Sequence, residues 1–381
     1  MQIIPIASGK GGVGKTLVAT NLAVALARYG KRVVLVDLDL GGSNLHLTLG
    51  QSGVRTGIGT FLLDSSVKFD DIILPTDYEN LRFIPGDAEI PGMANLKGGQ
   101  KSKLIRRLYG VDADYLVADL GAGTNFNTLD FFLTSSRGMV VTTPTLTATL
   151  NAYLFLKNTV FRVMGNSFKK GSAAAEYLNS LKKEGGHLQR VYIPRLLERI
   201  SREDPESYER FHETMGVFRP MMVMNMLEDP KDAKKAEKLR RSCREYLGID
   251  MEHMGVVYFD HLQEVALGSR IPLVAYKPNS VLSQGIFRVA DKIIQHQEED
   301  QAGLLDFDNI EQTYETAEME AEIDFDSKVQ DLENLLHSGA LTRGDLIDTI
   351  RAQQYDIGAL KKENQLLKSK LLKAMEQGYK V

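Results

Sequence analysis

The sequence predicts an α/β protein built on a doubly wound, mostly parallel β-sheet, with a helical extension at its carboxyl end. Seven short apolar runs are continuous enough to be strands buried on both faces, as strands inside a parallel sheet are. Helical stretches separate the runs, which is the alternation expected of βα units. The predicted strands are residues 3–7, 32–40, 80–86, 114–121, 138–144, 220–226 and 254–260.

The first run leads into a glycine-rich loop, "SGKGGVGKT" (8–16), that fits two phosphate-binding patterns. Gly9, Gly11 and Gly14 match the dinucleotide fingerprint, and Gly9 to Thr16 also matches the P-loop. Backbone N–H groups alone can hold a pyrophosphate, so a buried lysine would have no ligand to bind in a dinucleotide site. A triphosphate with Mg²⁺ requires a cation at the β- and γ-phosphates and a hydroxyl at the metal. Lys15 and Thr16 supply both, and a helical stretch (16–30) follows, as a P-loop requires. The predicted nucleotide contacts are Gly11, Gly12, Val13, Gly14, Lys15 and Thr16.

Acidic residues close two of the later strands, at the sheet edge onto which the P-loop opens. Asp119 ends "YLVAD" and is the candidate for ordering the Mg²⁺ shell; alternatively, it caps the next helix. Asp37 and Asp39 lie two residues apart, so in an extended segment they point the same way. One of them would then serve the metal while the other faces the γ-phosphate. A solvated turn is the competing interpretation of this pair.

Composition places the chain among ordinary globular proteins. With 381 residues, 43% hydrophobic and 25% charged, it can form one large or two moderate domains with a core. No apolar run approaches the roughly 20 residues of a membrane span, and we expect no signal peptide because residue 1 leads directly into a strand. The single cysteine, Cys243, excludes an intramolecular disulfide, cannot supply the cysteine pairs that bridge an iron–sulfur cluster between subunits, and fits a reducing cytoplasm.

The net charge of -4 is unevenly distributed along the chain, because one segment is strongly acidic. Residues 298–326 contain twelve Asp and Glu and no Lys or Arg, so the rest of the chain is net positive. This predicts a globular domain over residues 1–295 and a solvated acidic linker over 296–340. An acidic docking motif, or an autoinhibitory tail that covers a basic surface, is the alternative.

The last segment, 341–381, is predicted to be a helix that forms a short parallel coiled coil. Within residues 356–377, apolar side chains and one asparagine recur at heptad spacing, with lysines around them. An amphipathic helix that binds a membrane surface is the alternative, since six lysines stand against two glutamates from Ala359 to Val381. The heptad positions are Ile357, Asn364 and Leu371 at one core position and Leu360, Leu367 and Ala374 at the other.

The loop "GKGGVGKT" resembles the deviant Walker A motif of the MinD/ParA ATPases, whose additional lysine is Lys10 here. Within that family the chain is most similar to the FlhG/MinD branch, through "VLVDLDLGGSNLHLTLG" (34–50) and "DLGAG" (119–123). The resemblance implies ATP and Mg²⁺ as ligands and a homodimer that closes over two ATP molecules, with Lys10 reaching the partner's nucleotide. It further implies that Asp39 acts in hydrolysis, that Asp37 assists at the metal, and that Asn225 recognises adenine.

The resemblance covers residues 1–164 and 219–295 and leaves an apparent insertion between them. Residues 165–218 carry many Lys and Arg with interleaved acids, which suits contact with DNA, lipid headgroups or a protein, or equally a solvated helical pair. Two residues depart from the family pattern. Leu17 replaces a second threonine after the P-loop, and Asn151 stands where an aspartate is usual at the dimer or partner face.

Together these features predict a cytoplasmic ATPase with slow intrinsic turnover that a partner protein accelerates. As the resemblance implies, it would be a spatial regulator of flagellar number or placement, or of the division site, with a peripheral position at the inner membrane face or a cell pole. A partitioning ATPase that binds DNA non-specifically as a dimer is the second hypothesis. A nucleotide-gated scaffold that recruits clients through its carboxyl-terminal helix is the third.

Overall fold

The seven predicted strands form a single sheet in the computed structural model, which describes residues 1–51, 56–87, 95–183, 191–302 and 310–337 and single residues between 342 and 369. The strand order is β3-β4-β2-β5-β1-β6-β7-β8, and the pairs are parallel except for the antiparallel β3–β4 pair. The predicted fold class is therefore confirmed; β3, a two-residue edge strand, was not predicted. The strands are β1 (Gln2–Ala7), β2 (Val33–Leu38), β3 (Leu74–Pro75), β4 (Leu81–Ile84), β5 (Tyr115–Leu120), β6 (Met139–Thr142), β7 (Met221–Leu227) and β8 (Glu252–Tyr258).

Helices cover both faces of the sheet, because successive strand residues enter two separate apolar clusters. In β2, Val34 and Val36 belong to the cluster that α6 completes, whereas Val33 and Leu35 belong to the cluster that contains α1. The α-helices are α1 (Lys15–Arg28), α2 (Leu45–Thr48), α3 (Ile58–Leu63), α4 (Gly98–Tyr109), α5 (Phe126–Phe132), α6 (Leu146–Ser167), α7 (Ala173–Lys183), α8 (Ile193–Glu203), α9 (Pro205–Gly216), α10 (Lys235–Leu247), α11 (Leu262–Gly268), α12 (Leu273–Tyr276), α13 (Val281–Ala302) and α14 (Ile310–His337). In the described part of the chain, 3₁₀ helices span Phe69–Ile72 and Pro230–Lys234.

The segment predicted to be an insertion is largely helical and shares the core of the domain. Leu178 of α7, Leu196 of α8 and Phe211 of α9 are buried in the same cluster as α6. Charged side chains on its surface pair within their own helix, as in Arg199–Glu203 and Arg210–Glu206. Such exposed pairs stabilise a helix only weakly. A partner for this segment remains a prediction.

The acidic segment differs from the solvated linker that we predicted for residues 296–340. The chain divides into two compact units, Met1–Asp324 and Phe325–Val381, so the first unit extends well beyond Gln295. Within it, residues 310–324 are helical, and Tyr314 and Ala321 are buried. The low hydrophobicity that predicts a solvated chain is misleading here, because acids of this segment form ion pairs with basic side chains of α13.

The predicted coiled coil remains a prediction, because Ile357, Leu360, Asn364, Leu371 and Ala374 lie outside the described residues. Leu367 is described, is helical and is exposed. Among the helices that the structure describes, none combines the length and apolarity needed to cross a bilayer.

Candidate functional site

The glycine-rich loop between β1 and α1 has the backbone conformation of a phosphate cradle. Gly12 and Gly14 have φ of 80° and 81°, in the left-handed region that side chains disfavour. Among the residues that the structure describes, none has an atom within 4 Å of a Cβ added at Gly11 or Gly12, whereas a Cβ on Gly14 would lie 2.2 Å from Nδ2 of Asn225. The loop thus has room for a ligand at Gly11 and Gly12, and at Gly14 it is packed against Asn225. Its N–H groups and the start of α1 suit an anion.

Close packing against α6 explains the first glycine of the motif. A Cβ on Gly9 would lie 2.0 Å from the carbonyl oxygen of Asn151, so only glycine allows α6 to approach the loop. On the β5 side, the N–H of Gly123 donates to the carbonyl of Ser8 at 3.1 Å. The loop is therefore held between α6 and the segment that follows β5.

Lys15 and Asp119 form a buried ion pair at the carboxyl edge of the sheet. Nζ of Lys15 lies 2.6 Å from Oδ1 of Asp119, and both side chains are less than 10% exposed. Burial raises the pKa of Asp119, while Lys15 and the hydroxyl of Thr16 act in the opposite direction. The predicted phosphate-binding cation and the predicted metal-ordering acid are thus in direct contact.

Asp37 lies beside Asp119, because β2 and β5 pair in register at these two residues. Its carboxylate accepts hydrogen bonds from the hydroxyl of Ser43 at 2.5 Å and from the N–H groups of Asp39 and Leu45 at 3.1 and 3.2 Å. Burial, and then the negative charge of Asp119, raise its pKa to about 7. These hydrogen bonds to Asp37 therefore hold residues 39–45 against the end of β2.

The oxygen ligands at this edge fit a magnesium ion. Asp37 and Asp119 are neighbouring carboxylates, and the hydroxyl of Thr16 reaches Asp119. Mg²⁺ prefers carboxylate, hydroxyl and water oxygens, and a divalent cation would offset the repulsion between the carboxylates of Asp37 and Asp119. The predicted metal residues are thus brought together.

Asp39 faces the loop that follows β5. Its carboxylate lies next to Gly121, where a built Cβ would be 3.1 Å from Oδ1. Its carbonyl accepts from the N–H of Gly42 at 3.0 Å, which closes a tight turn, and its side chain is partly exposed. Asp39 is therefore close to both acid-bearing strand ends and is accessible from outside.

Asn225 supports the P-loop from behind. Its Nδ2 donates to the carbonyl of Val13 at 2.9 Å, and the residue is 2% exposed at the end of β7. Its predicted role in adenine recognition remains a prediction. This positioning role was not predictable from the sequence, because Asn225 and Val13 lie 212 positions apart in the chain.

Lys10 occupies a different environment from Lys15. It is exposed and lines a cavity of about 480 Å³ together with Gly11 and Gly12. Its carbonyl accepts from the hydroxyl of Ser8 at 2.9 Å, and within the described parts of the chain its ammonium forms no ion pair. Further residues of this cavity lie at or after the carboxyl ends of β6, β7 and β8, so the rule that ligands bind at strand carboxyl ends was the signal that could have found them. They include Thr143, Pro144, Met226, Glu228, Asp232 and Phe259.

Comparison with protein families and with characterised proteins agrees with this geometry. Residues 1–165 match the ParA family, described as NUBPL iron-transfer P-loop NTPase. The chain is 32% identical over 175 residues to antiactivator FleN of Pseudomonas aeruginosa, covering 44% of this chain and 61% of FleN. It is 35% identical over 153 residues to septum site-determining protein MinD of Synechocystis (40% of this chain, 56% of MinD). Flagellum site-determining protein YlxH of Helicobacter pylori is 33% identical over 158 residues (41% and 53%). The chain thus spans little more than half the length of these relatives.

Solved structures show the same fold. MinD of Pyrococcus horikoshii, solved with Mg-ADP, superposes with a TM-score of 0.52 at 23% identity, covering 77% of this chain and 95% of that one. MinD of Pyrococcus furiosus gives 0.53 at 21% identity, covering 77% and 98%. At these identities the likeness establishes the fold and no more.

Proposed function

We propose that this protein, whose first 165 residues match the ParA family, is an ATP-binding and ATP-hydrolysing dimerisation switch of the MinD/FlhG branch. It acts as a spatial regulator that sets flagellar number or placement, or the division site. The names of FleN, YlxH and MinD support this reading. A position at the inner membrane face or a cell pole belongs to the same proposal.

In this proposal, each residue of the site has a separate role in binding the nucleotide, binding the metal or promoting hydrolysis. Lys15 and the loop N–H groups bind the phosphates, and Asp39 orients the attacking water. Thr16, Asp37 and Asp119 would hold Mg²⁺, which would supply positive charge to the phosphates of the nucleotide. Around the cavity, the residues that the structure describes include Lys10 and Lys235 but no arginine. We therefore expect slow intrinsic hydrolysis that an activating partner protein accelerates.

The main support for the proposed dimer is that Lys10 and Lys15, two lysines of one loop, lie in different environments. Lys15 is buried and paired inside its own chain, whereas Lys10 is exposed at the rim of the same cavity. Apolar side chains are also exposed at this edge: Phe126, Leu146 and Leu150 are 67%, 83% and 53% exposed at the starts of α5 and α6. A second copy that closed over this edge would bury them and would place Lys10 on its partner's nucleotide.

Sedimentation with nucleotides tests this proposal. The wild type is expected to dimerise with Mg²⁺ and a non-hydrolysable ATP analogue and to remain monomeric with ADP. Lys10→Ala is expected to bind the analogue with unchanged affinity and to stay monomeric. Lys15→Ala, the matched control in the same loop, is expected to lose nucleotide binding itself. If Lys10→Ala dimerised like the wild type, Lys10 would not have the proposed role in dimer formation.

The surface of α4 favours a second candidate, an ATPase that binds DNA. This helix contains four cations and no acid, and Lys103, Arg106 and Arg107 line a cavity of about 310 Å³. Binding that depends on phosphate contacts weakens steeply as salt increases. The candidate therefore predicts ATP-dependent DNA binding that falls with salt and is weakened by Arg106→Ala with Arg107→Ala. A flat salt response would exclude it.

A further inference from the structure

An open cavity of about 570 Å³ lies on the surface between α6 and α10. Its walls are largely apolar: Leu150 and Tyr153 of α6 line it, together with Leu239 and Tyr246 of α10. A surface cavity of this size with aliphatic and aromatic walls is typical of a binding site. We call it the α6–α10 groove.

The groove extends along three turns of α10. Lys235, Leu239, Ser242 and Tyr246 line it at intervals of four, three and four residues, so they form one stripe along the helix. At 1.5 Å per residue this stripe is about 16 Å long. The length matches a second helix of about three turns, which binds in such a groove through apolar side chains at i, i+3, i+4 and i+7.

The segment 165–218, for which the sequence left several roles open, borders the groove at Tyr246. Its returning chain is attached to α6, where Nζ of the buried Lys157 donates to the carbonyl of Val191 at 2.9 Å. The next residue, Tyr192, packs edge-on against Tyr246, with 5.9 Å between the ring centres. The two tyrosines are 48% and 42% exposed. The segment therefore adds an accessible aromatic ring to the groove.

The outer rim of the groove on α10 is positively charged. Lys238 lines the groove, and Arg241 follows one turn later on the same side of the helix. Both side chains are exposed, and within the described part of the chain neither forms an ion pair. The acid on this rim, Glu245, is engaged by the hydroxyl of Tyr246. Two cations are therefore available for acids of a partner.

The groove also adjoins the nucleotide cavity. Pro144 and Lys235 line both, and Nζ of Lys235 lies 2.8 Å from Oδ1 of Asp232, which lines the nucleotide cavity. Leu146 and Leu150, at the start of α6, line the groove as well. A helix bound in the groove would therefore lie against the nucleotide cavity and against the edge that the proposed dimer would close.

We infer that the α6–α10 groove is a docking site for an acidic amphipathic helix of a partner protein, and that the segment 165–218 completes this site. Apolar side chains of that helix fill the groove, and its Asp and Glu side chains pair with Lys238 and Arg241. A helix without acids would leave both cations unpaired, and a basic helix would be repelled. The inference requires neither nucleotide hydrolysis nor the proposed dimer.

Two synthetic helical peptides of about fourteen residues test the site on the nucleotide-free, full-length chain. Both peptides carry leucines at i, i+3, i+4 and i+7; one has glutamates on its flanks and the other has lysines. At low salt, fluorescence-anisotropy titration is expected to show that the acidic peptide binds at least about tenfold more tightly than the basic one. Lys238→Glu with Arg241→Glu is expected to reverse this preference.

Matched variants separate the groove from the rest of the surface. Lys231→Glu with Arg244→Glu makes the same change of charge at exposed positions outside the groove lining and is expected to keep the wild-type preference. Tyr192→Ser removes the ring that the segment 165–218 contributes and is expected to weaken binding of the acidic peptide about tenfold. Tyr109→Ser, which changes an exposed tyrosine of α4, is expected to leave binding unchanged.

Equal affinity of the two peptides for the wild type would overturn the acidic partner, as would a Lys238→Glu, Arg241→Glu chain that keeps the wild-type preference. Wild-type affinity of Tyr192→Ser would show that the segment 165–218 does not complete the site. Hydrogen exchange locates the bound peptide: protection is expected in residues 146–153 and 235–246. Protection confined to other parts of the chain, or no binding of the acidic peptide at all, would exclude the groove as the docking site.

Discussion

Nζ of Lys15 lies 2.6 Å from Oδ1 of Asp119, so the cation of the phosphate-binding loop is engaged by an acid of the adjacent strand. A phosphate that binds Lys15 has to compete with this carboxylate. A magnesium ion that binds the same carboxylate would release the lysine. We therefore expect nucleotide binding and Mg²⁺ binding to be coupled through this one ion pair.

Removing the charge of Asp119 should uncouple the two ligands. In the presence of EDTA, Asp119→Asn is expected to bind ADP about tenfold more tightly than the wild type, because Lys15 no longer has a charged partner. Added Mg²⁺ should then strengthen binding less than it does in the wild type. Calorimetric titration of ADP with and without Mg²⁺ measures both effects. Equal affinities of the two proteins in EDTA would contradict the coupling.

The two glycines that flank Lys10 should respond differently to an added methyl group. Gly9→Ala places a Cβ 2.0 Å from the carbonyl of Asn151 and is expected to lower the free energy of unfolding by about 1–3 kcal/mol, as overpacking does. The added methyl group of Gly11→Ala lies within 4 Å of no atom in the described part of the chain, so this variant should change stability by less than about 1 kcal/mol. Urea denaturation of both variants checks the difference. If the two variants were equally stable, α6 would have to move to accommodate the added methyl group of Gly9→Ala.

Asn225 should stabilise the loop as well as the ligand site. Asn225→Ala leaves the buried carbonyl of Val13 without its donor and is expected to reduce unfolding free energy by about 1–3 kcal/mol. Nucleotide affinity should fall in the same variant because the loop is less well held. Asn158→Ala, which removes an amide bonded to the helical carbonyl of Leu154, is the control and should leave affinity unchanged. An Asn225→Ala protein with wild-type stability would contradict the positioning role.

His253 should make stability depend on pH. It is fully buried beside Lys292 of α13 and the ring of Tyr314 of α14, and burial, followed by the charge of Lys292, lowers its pKa to about 3. In the unfolded chain the pKa is about 6.5, so below that pH the unfolded state binds the additional proton. The stabilisation is therefore complete above pH 6.5 and is lost as pH falls towards 3, by about 2 kcal/mol at pH 5.

His253→Gln, which keeps an acceptor for Gly255 but does not titrate, measures this contribution. Its loss of unfolding free energy between pH 7.5 and pH 5 should be smaller than that of the wild type by about 2 kcal/mol. Urea denaturation at the two pH values gives both quantities. Identical pH dependence of the two proteins would show that His253 is not the responsible group.

Much of the fold and of the site was predictable because the signals are local. Each buried strand is a continuous apolar run, and Lys15 and Thr16 follow the loop glycines directly in the chain. Asp37 and Asp119 end strands, and parallel strands bring their carboxyl ends to one edge, so their proximity followed from the fold class.

What the amino-acid sequence alone determined was therefore the strands, the phosphate loop and the acids at the sheet edge. Only the tertiary structure decided that Asn225 holds Val13, that α6 touches Gly9, and that residues 310–324 dock instead of remaining solvated. These contacts join segments far apart in the chain, and periodicity and composition do not encode which helix crosses which. For the acidic segment the reason is electrostatic: its charges predict solvation until Arg288 and Lys292 are placed opposite them.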